Sequence, residues 1–261
     1  MKTKSNTGNV IRLSVAQALS MTTMNVNIIN TALVGSLLSP VPWLATLGLS
    51  LQFLTSMLTT LPASLLMVKF GRRPIFMAGV LIAAGATFTQ GIAILHMNFM
   101  LFCLASMCLG IAQGIAGFYR YAAADSAEDS QKPRAISYVL AGGLLAAFLG
   151  PEIARNAVGL VPGHLYAGCF FSIALVQVFS LLTLSGIDIP KPNRTRAGGR
   201  PIQAFFKMPI FVVGTISAAI GYALMSYMMT ATPLQIVNIA KLGTSANATV
   251  IQWHVVAMFA P

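Results

Sequence analysis

Lys69-Phe70-Gly71-Arg72-Arg73-Pro74 is a compact basic knot set between two long apolar runs. Residues 43–68 before it and 75–95 after it contain no charged side chain. About 20 apolar residues are needed to cross the ~30 Å hydrocarbon core of a bilayer. Two such runs joined by so short a link therefore read as a membrane hairpin. The knot is its turn, and the three cations mark the side of the membrane on which the turn lies.

The rest of the chain agrees with this reading. Of its 261 residues, 56% are hydrophobic and only 8% charged, where a soluble domain carries about 25% charged residues. The sequence therefore predicts an all-α integral membrane protein. A net charge of +11 would point to nucleic acid in a soluble protein, but here the distribution of charge explains it. Fourteen of the sixteen Lys and Arg residues fall in segments on the side of the knot, leaving Arg155 and Lys241 on the other. That asymmetry is the positive-inside pattern. It puts the N-terminus and the knot in the cytoplasm and the protein in the inner or plasma membrane, and it leaves nothing for nucleic acid to explain. Cys103, Cys108 and Cys169 lie in apolar runs without metal-ligand spacing, as expected of small packing residues. There is no GxxxxGKS/T sequence to bind ATP, and no cofactor is expected.

Hydropathy outlines seven full spans and part of an eighth, at residues 13–37, 43–67, 75–95, 99–121, 135–153, 165–184, 209–236 and from 249 onward. The first is too long for a signal-peptide core and has no small-residue cleavage site, so it is expected to stay attached. Three units follow: a six-helix bundle at 1–186, a basic cytoplasmic linker at 187–208, and an incomplete second half at 209–261. Secondary transporters of the six-plus-six type are arranged in this way.

The knot also carries a family resemblance. Residues 64–73 read Ser-Leu-Leu-Met-Val-Lys-Phe-Gly-Arg-Arg, which resembles the G-x-x-x-D-R-x-G-R-R loop of the major facilitator superfamily. Lys69, Gly71, Arg72 and Arg73 match, whereas Ser64 and Val68 replace the Gly and the Asp. In the family that acid helps to latch one state of the transport cycle. Gly110-Ile111-Ala112-Gln113-Gly114 is similar to the R-x-x-Q-G signature of helix four, with Gly110 in place of the Arg. Gly142, Ala146 and Gly150, followed by Pro151, resemble the Gly-rich fifth helix of antiporters, although Ala154 and Arg155 stand where two further glycines are usual. The resemblance implies alternating-access transport of a small organic solute, with proton-coupled efflux of drugs or metabolites as its leading form. It also implies that the chain covers the first two-thirds of a transporter of about twelve spans. The competing expectation is a truncated, transport-incompetent membrane protein.

Polar groups inside spans are expensive and mark candidate sites. Thr23, Asn27, and Asn30 or Thr31 share one face of the first helix, suited either to a polar solute or to helix packing. Gln52, Ser56 and Thr59 form a similar face on the second helix, and Gln90 is read as structural. Gln113, Tyr222 and His254 complete the expected substrate-binding set with Asn27 and Asn30. Glu152 is the one carboxylate bordering a span, either a proton-coupling group or half of a surface ion pair with Arg155. Arg120 and Asp125 are expected either to gate with Lys69, Gly71, Arg72 and Arg73 or to form a solvated face. Gly142, Ala146, Gly150 and Pro151 are expected to pack helices. One carboxylate and one His near spans do not make an enzyme site. The expected partners are the lipid bilayer, a small solute and protons.

Overall fold

The computed structural model describes residues 7–189 and 202–259, and every regular element among them is helical. The helices are α1 (Thr7–Leu38), α2 (Leu47–Phe70), α3 (Arg72–Leu95), α4 (Phe99–Ala116), α5 (Tyr119–Ser126), α6 (Lys132–Ala157), α7 (Ala167–Ser185), α8 (Ile202–Phe206), α9 (Pro209–Leu234) and α10 (Gly243–Phe259). Most of the 187–208 linker lies outside the described residues, including Lys191, Arg194, Arg196 and Arg200, as do Lys2, Lys4 and Pro261.

Among the described residues, six helical segments are long and apolar enough to cross a membrane: those of α2, α3, α4–α5, α6, α7 and α9. The expectation of seven to eight spans adds α1 and α10. α10 has 17 residues. α1 is the longest helix, at 32 residues, but Asn and Thr dilute its apolar character. Those polar side chains are buried: Thr22, Thr23, Asn25, Asn27, Asn30 and Thr31 are all nearly inaccessible. α1 is thus the inner post of the bundle, and it packs against α6, α7, α9 and α2.

Several boundaries differ from the hydropathy reading. The fourth span runs through residue 121 as expected, but its helix is not continuous. It is interrupted at Gly117 and Phe118, where the Phe118 N–H donates to the Ile115 carbonyl at 3.1 Å in a tightened turn. A hydropathy window does not register that break, because the segment stays apolar through a poor helix former. α10 begins at Gly243 rather than near Thr249, since a helix can extend through polar residues that lower the window average. Gly71 ends α2 with φ 93°, and its N–H bonds to the Met67 carbonyl at 2.9 Å; a β-carbon disfavours that conformation. Pro74 is the third residue of α3, within the turn whose N–H groups have no helical partner.

Close helix contacts rest on small residues. α6 lies along α1 through Gly142, Ala146 and Gly150. A β-carbon at Gly142 would stand 2.9 Å from the Ser14 carbonyl oxygen, and one at Gly150 would stand 2.7 Å from Asn25 Cβ. The Asn25 amide donates to the Ala146 carbonyl at 3.0 Å. Pro151 is buried one residue beyond this contact, within α6. At the far end of the bundle sequence, the Asn9 side chain closes the structure on itself. Its Nδ2 donates to the Asp188 carbonyl at 2.5 Å, and its Oδ1 accepts the Asp188 N–H at 3.2 Å. The start of α1 is thereby tied to the segment leaving α7.

Candidate functional site

A cavity of about 350 Å³ opens among α1, α2, α3, the α4–α5 junction, α7, α9 and α10. It involves the middle third of α1, from Gln17 to Ile28, and the C-terminal part of α4 with Gly117 and Tyr119. It therefore lies near the middle of the bundle, at mid-helix on α1 and at Gln177 on α7. Two kinds of side chain dominate its character. Gln17, Asn25, Gln52, Gln113 and Gln177 supply amides, while Met21, Met24, Met225, Met229 and Met258 supply flexible, polarizable surface. Tyr222 and Phe259 add aromatic wall. Among the described residues, no Asp, Glu, Lys, Arg or His lines the cavity.

The amides are not independent. Gln90 Nε2 donates to Ser106 Oγ at 3.0 Å and to Asn27 Oδ1 at 3.3 Å. Asn27 Nδ2 donates to Gln52 Oε1 at 2.6 Å, and Gln52 Nε2 donates to Gln113 Oε1 at 2.9 Å. Gln113 Nε2 then meets only Met24 Sδ, at 3.3 Å. On another side of the cavity, Gln177 Nε2 donates to Thr23 Oγ1 at 2.7 Å. Interhelical hydrogen bonds within a membrane contribute about 0.6 kcal/mol each on average, so the set orients groups more than it stabilises the bundle.

Close packing of α4 on α2 makes the Gln52–Gln113 bond possible. A β-carbon at Gly110 would stand 2.2 Å from the Gln52 carbonyl oxygen, and one at Gly114 would stand 2.7 Å from that of Ser56. Thr55 Oγ1 crosses the same seam to the Met107 carbonyl at 2.9 Å. An Arg at residue 110, as in the family signature, does not fit this contact.

The predicted substrate residues separate into groups. Gln113 and Tyr222 line the cavity, and the Tyr222 ring meets Phe53 edge-on with centroids 6.1 Å apart. Asn27 is buried behind the cavity in the amide chain. Asn30 donates to the Val26 carbonyl of its own helix at 2.8 Å and faces away from the cavity lining. His254 is half-buried on α10 outside the lining, and its Nε2 is buried with no hydrogen-bond partner. Asn25, Gln17, Gln177 and the methionines are lining residues that sequence reasoning did not select. The intramembrane Gln177 and the 14 methionines were the available signals.

At the knot, Arg72 forms an ion pair with Asp125 of α5, and Arg73 Nη2 donates to the Ser185 carbonyl at the end of α7 at 2.5 Å. Lys69 lies over the Phe70 ring at 5.2 Å from its centroid. Arg120 does not join the cluster; its guanidinium lies over Tyr121, 5.0 Å from the ring centroid. At the opposite end, Glu152 pairs with Arg155 and accepts from Asn156 Nδ2 at 3.1 Å. Arg155 Nη2 also reaches Thr249 Oγ1 at 3.3 Å and Gln252 Oε1 at 3.4 Å, bridging α6 to α10.

This combination of an apolar helical bundle, a basic two–three turn and an amide-lined inner cavity has a family to which it corresponds. The chain belongs to the Major Facilitator Superfamily, which it matches over residues 13–260; it is a multi-pass membrane protein of a transport family rather than an enzyme. The riboflavin transporter RfnT of Brucella anthropi is 38% identical to it over 257 residues, covering 97% of this chain. The chain spans 64% of the length of that relative.

Proposed function

We propose that this bundle belongs to a secondary transporter whose solute is neutral, flat and rich in hydrogen-bonding groups, of the flavin class. The observation that carries the proposal is the cavity lining. Amides offer both donors and acceptors, methionines and Tyr222 offer polarizable contact for a ring system, and among the described residues no charged side chain lines the cavity to neutralise an ionic solute. A charged solute would enter this lining unpaired, at a cost of several kcal/mol. The similarity to a protein named as a riboflavin transporter supports the same class.

Alternating access accounts for the two ends. With the knot on the cytoplasmic side, as the Lys and Arg distribution indicates, the cavity lies near the middle of the bundle. The Arg155 bridge between α6 and α10 then lies on the outer side. That bridge would have to part for the cavity to open outward between α6 and α10. Proton-coupled export is the finer form of the reading, and the Gly142-Ala146-Gly150-Pro151 face of α6 supports it through its resemblance to antiporters. Because the lining holds no titratable carboxylate or imidazole, a coupled proton would be taken up at Glu152.

Riboflavin binding to the purified chain in lipid nanodiscs tests the reading, followed through quenching of the flavin's own fluorescence. Saturable binding is expected, with flavin mononucleotide at least about tenfold weaker because its phosphate finds no cation. Absence of saturable riboflavin binding, or equal affinity for the phosphorylated form, overturns it.

A further inference from the structure

The amide chain behind the cavity has a direction. Ser106 Oγ donates its single proton to the Phe102 carbonyl at 2.8 Å, an acceptor that cannot rotate or exchange ends. Having spent its proton there, Ser106 can only accept from Gln90. Gln90 must then present Nε2, which also fixes Asn27 with its oxygen toward Gln90 and its nitrogen toward Gln52. Gln52 accepts with Oε1 and donates with Nε2, and Gln113 accepts with Oε1. Each amide has two ends of opposite character, so one fixed end propagates through all four. Gln113 is left with its N–H group turned to the cavity.

The reverse sequence is poorer. It would give up the Ser106–Phe102 bond and turn the Gln113 oxygen toward the Met24 sulfur. It would also bury the Gln90 nitrogen without an acceptor, in place of the oxygen that is now unpartnered. The present direction therefore keeps one more hydrogen bond and avoids an oxygen–sulfur contact.

From this we infer that Ser106, Gln90, Asn27 and Gln52 act as positioning residues that fix Gln113 as a hydrogen-bond donor, so that the cavity selects solutes presenting a carbonyl oxygen or an unprotonated ring nitrogen at that point. The thioether of Met24 is a weak acceptor and holds the donor until a better one displaces it. The chain runs from α4 through α3, α1 and α2 and returns to α4 two turns later, from Ser106 to Gln113. Four helices thus determine the polarity of one cavity group. The inference deepens the proposed function and rests on the cavity being the solute site. Under the flavin reading, the acceptor is a carbonyl or bare nitrogen of the isoalloxazine ring.

Two measurements on the full chain in nanodiscs test it, and the first needs no solute. With glutamine labelled with 15N, the Gln113 side-chain resonance is identified by its loss in Gln113→Glu. Ser106→Ala and the near-isosteric Gln90→Met are each expected to move that resonance, although neither residue touches Gln113. An unmoved Gln113 resonance in either variant, with the remaining spectrum preserved, overturns the relay. The second measurement is riboflavin affinity. Gln113→Glu, which exchanges the donor for an acceptor, is expected to weaken binding at least tenfold, and Ser106→Ala by about three- to tenfold. Riboflavin bound equally by wild type and Gln113→Glu overturns the donor assignment. If the wild type itself binds no riboflavin, the flavin reading fails, and the relay is then judged by the resonance alone.

Discussion

Gly110 lies so close to the backbone of Gln52 that a β-carbon on it would come within 2.2 Å of the Gln52 carbonyl oxygen. Thr55 Oγ1 would stand closer still, at 2.0 Å, but the carbonyl is main chain and cannot rotate aside, so any side chain at residue 110 must separate α2 from α4. Gly110→Ala is expected to destabilise the protein by about 1–3 kcal/mol, the usual range for overpacking. The melting temperature in detergent should fall by about 3 °C or more. Gly117→Ala, where the nearest neighbour of a new β-carbon stands at 3.6 Å, is expected to melt within a degree or two of wild type. Equal effects from the two substitutions would contradict the packing described.

Arg72 and Asp125 join the α2–α3 turn to α5. The Arg72 side chain is mostly buried and that of Asp125 half-exposed, so solvent screens the pair from one side. A double-mutant cycle with Arg72→Ala and Asp125→Ala is expected to yield a coupling of about 0.5–1 kcal/mol, read from denaturation midpoints. Arg120→Ala, which removes only the contact with Tyr121, should lie within about 0.5 kcal/mol of wild type. A larger coupling of Asp125 to Arg120 than to Arg72 would mean that the knot is assembled differently.

Tyr222 forms part of the cavity wall, with Phe53 behind it. Tyr222→Ala is expected to weaken riboflavin binding by about three- to tenfold, the range for one aromatic contact. Tyr222→Phe should keep most of the affinity if ring contact matters more than the hydroxyl. Loss of binding in both would assign the role to the hydroxyl instead.

The cysteines offer a test of the fold itself. Cys108 is exposed on the bundle surface, whereas Cys103 and Cys169 are buried. Cys108 faces lipid within the α4 span, where the reactive thiolate is disfavoured, so a water-soluble maleimide should label no thiol rapidly in nanodiscs and three per chain after unfolding. Labelling of Cys103 or Cys169 in the folded protein would show that the α3–α4 or α6–α7 packing is wrong.

Much of this architecture was legible in the sequence, for identifiable reasons. The α2–α3 hairpin announces itself because charge is concentrated in Arg72 and Arg73 and withheld from both flanking runs. Gln113 could be singled out because it sits in a family signature. The cavity lining was harder to read. Asn25 and Asn27 lie two residues apart on α1, yet one faces the cavity and the other the buried amide chain. Which face of α1 looks inward depends on how α6 and α2 pack against it, and that is set by glycines far away in the sequence. Methionines carried no label as lining residues, since the same side chain fills cores and lipid-facing surfaces alike. The break at Gly117 was hidden by continuous apolarity across it.

The polar character of α1 bears on how the protein is made. This helix is made before the helices that follow it, and two of its polar side chains find their partners much later: Asn25 needs the carbonyl of Ala146, 121 residues on, and Thr23 meets Gln177 after 154 residues. At about 5–20 residues per second of synthesis, these delays are roughly 6–31 s. During this interval Asn25 and Thr23 have only water, the insertion machinery or the backbone of α1 to satisfy their side chains. Its release into lipid is therefore a matter of timing, governed by the arrival of helices that have not yet been translated.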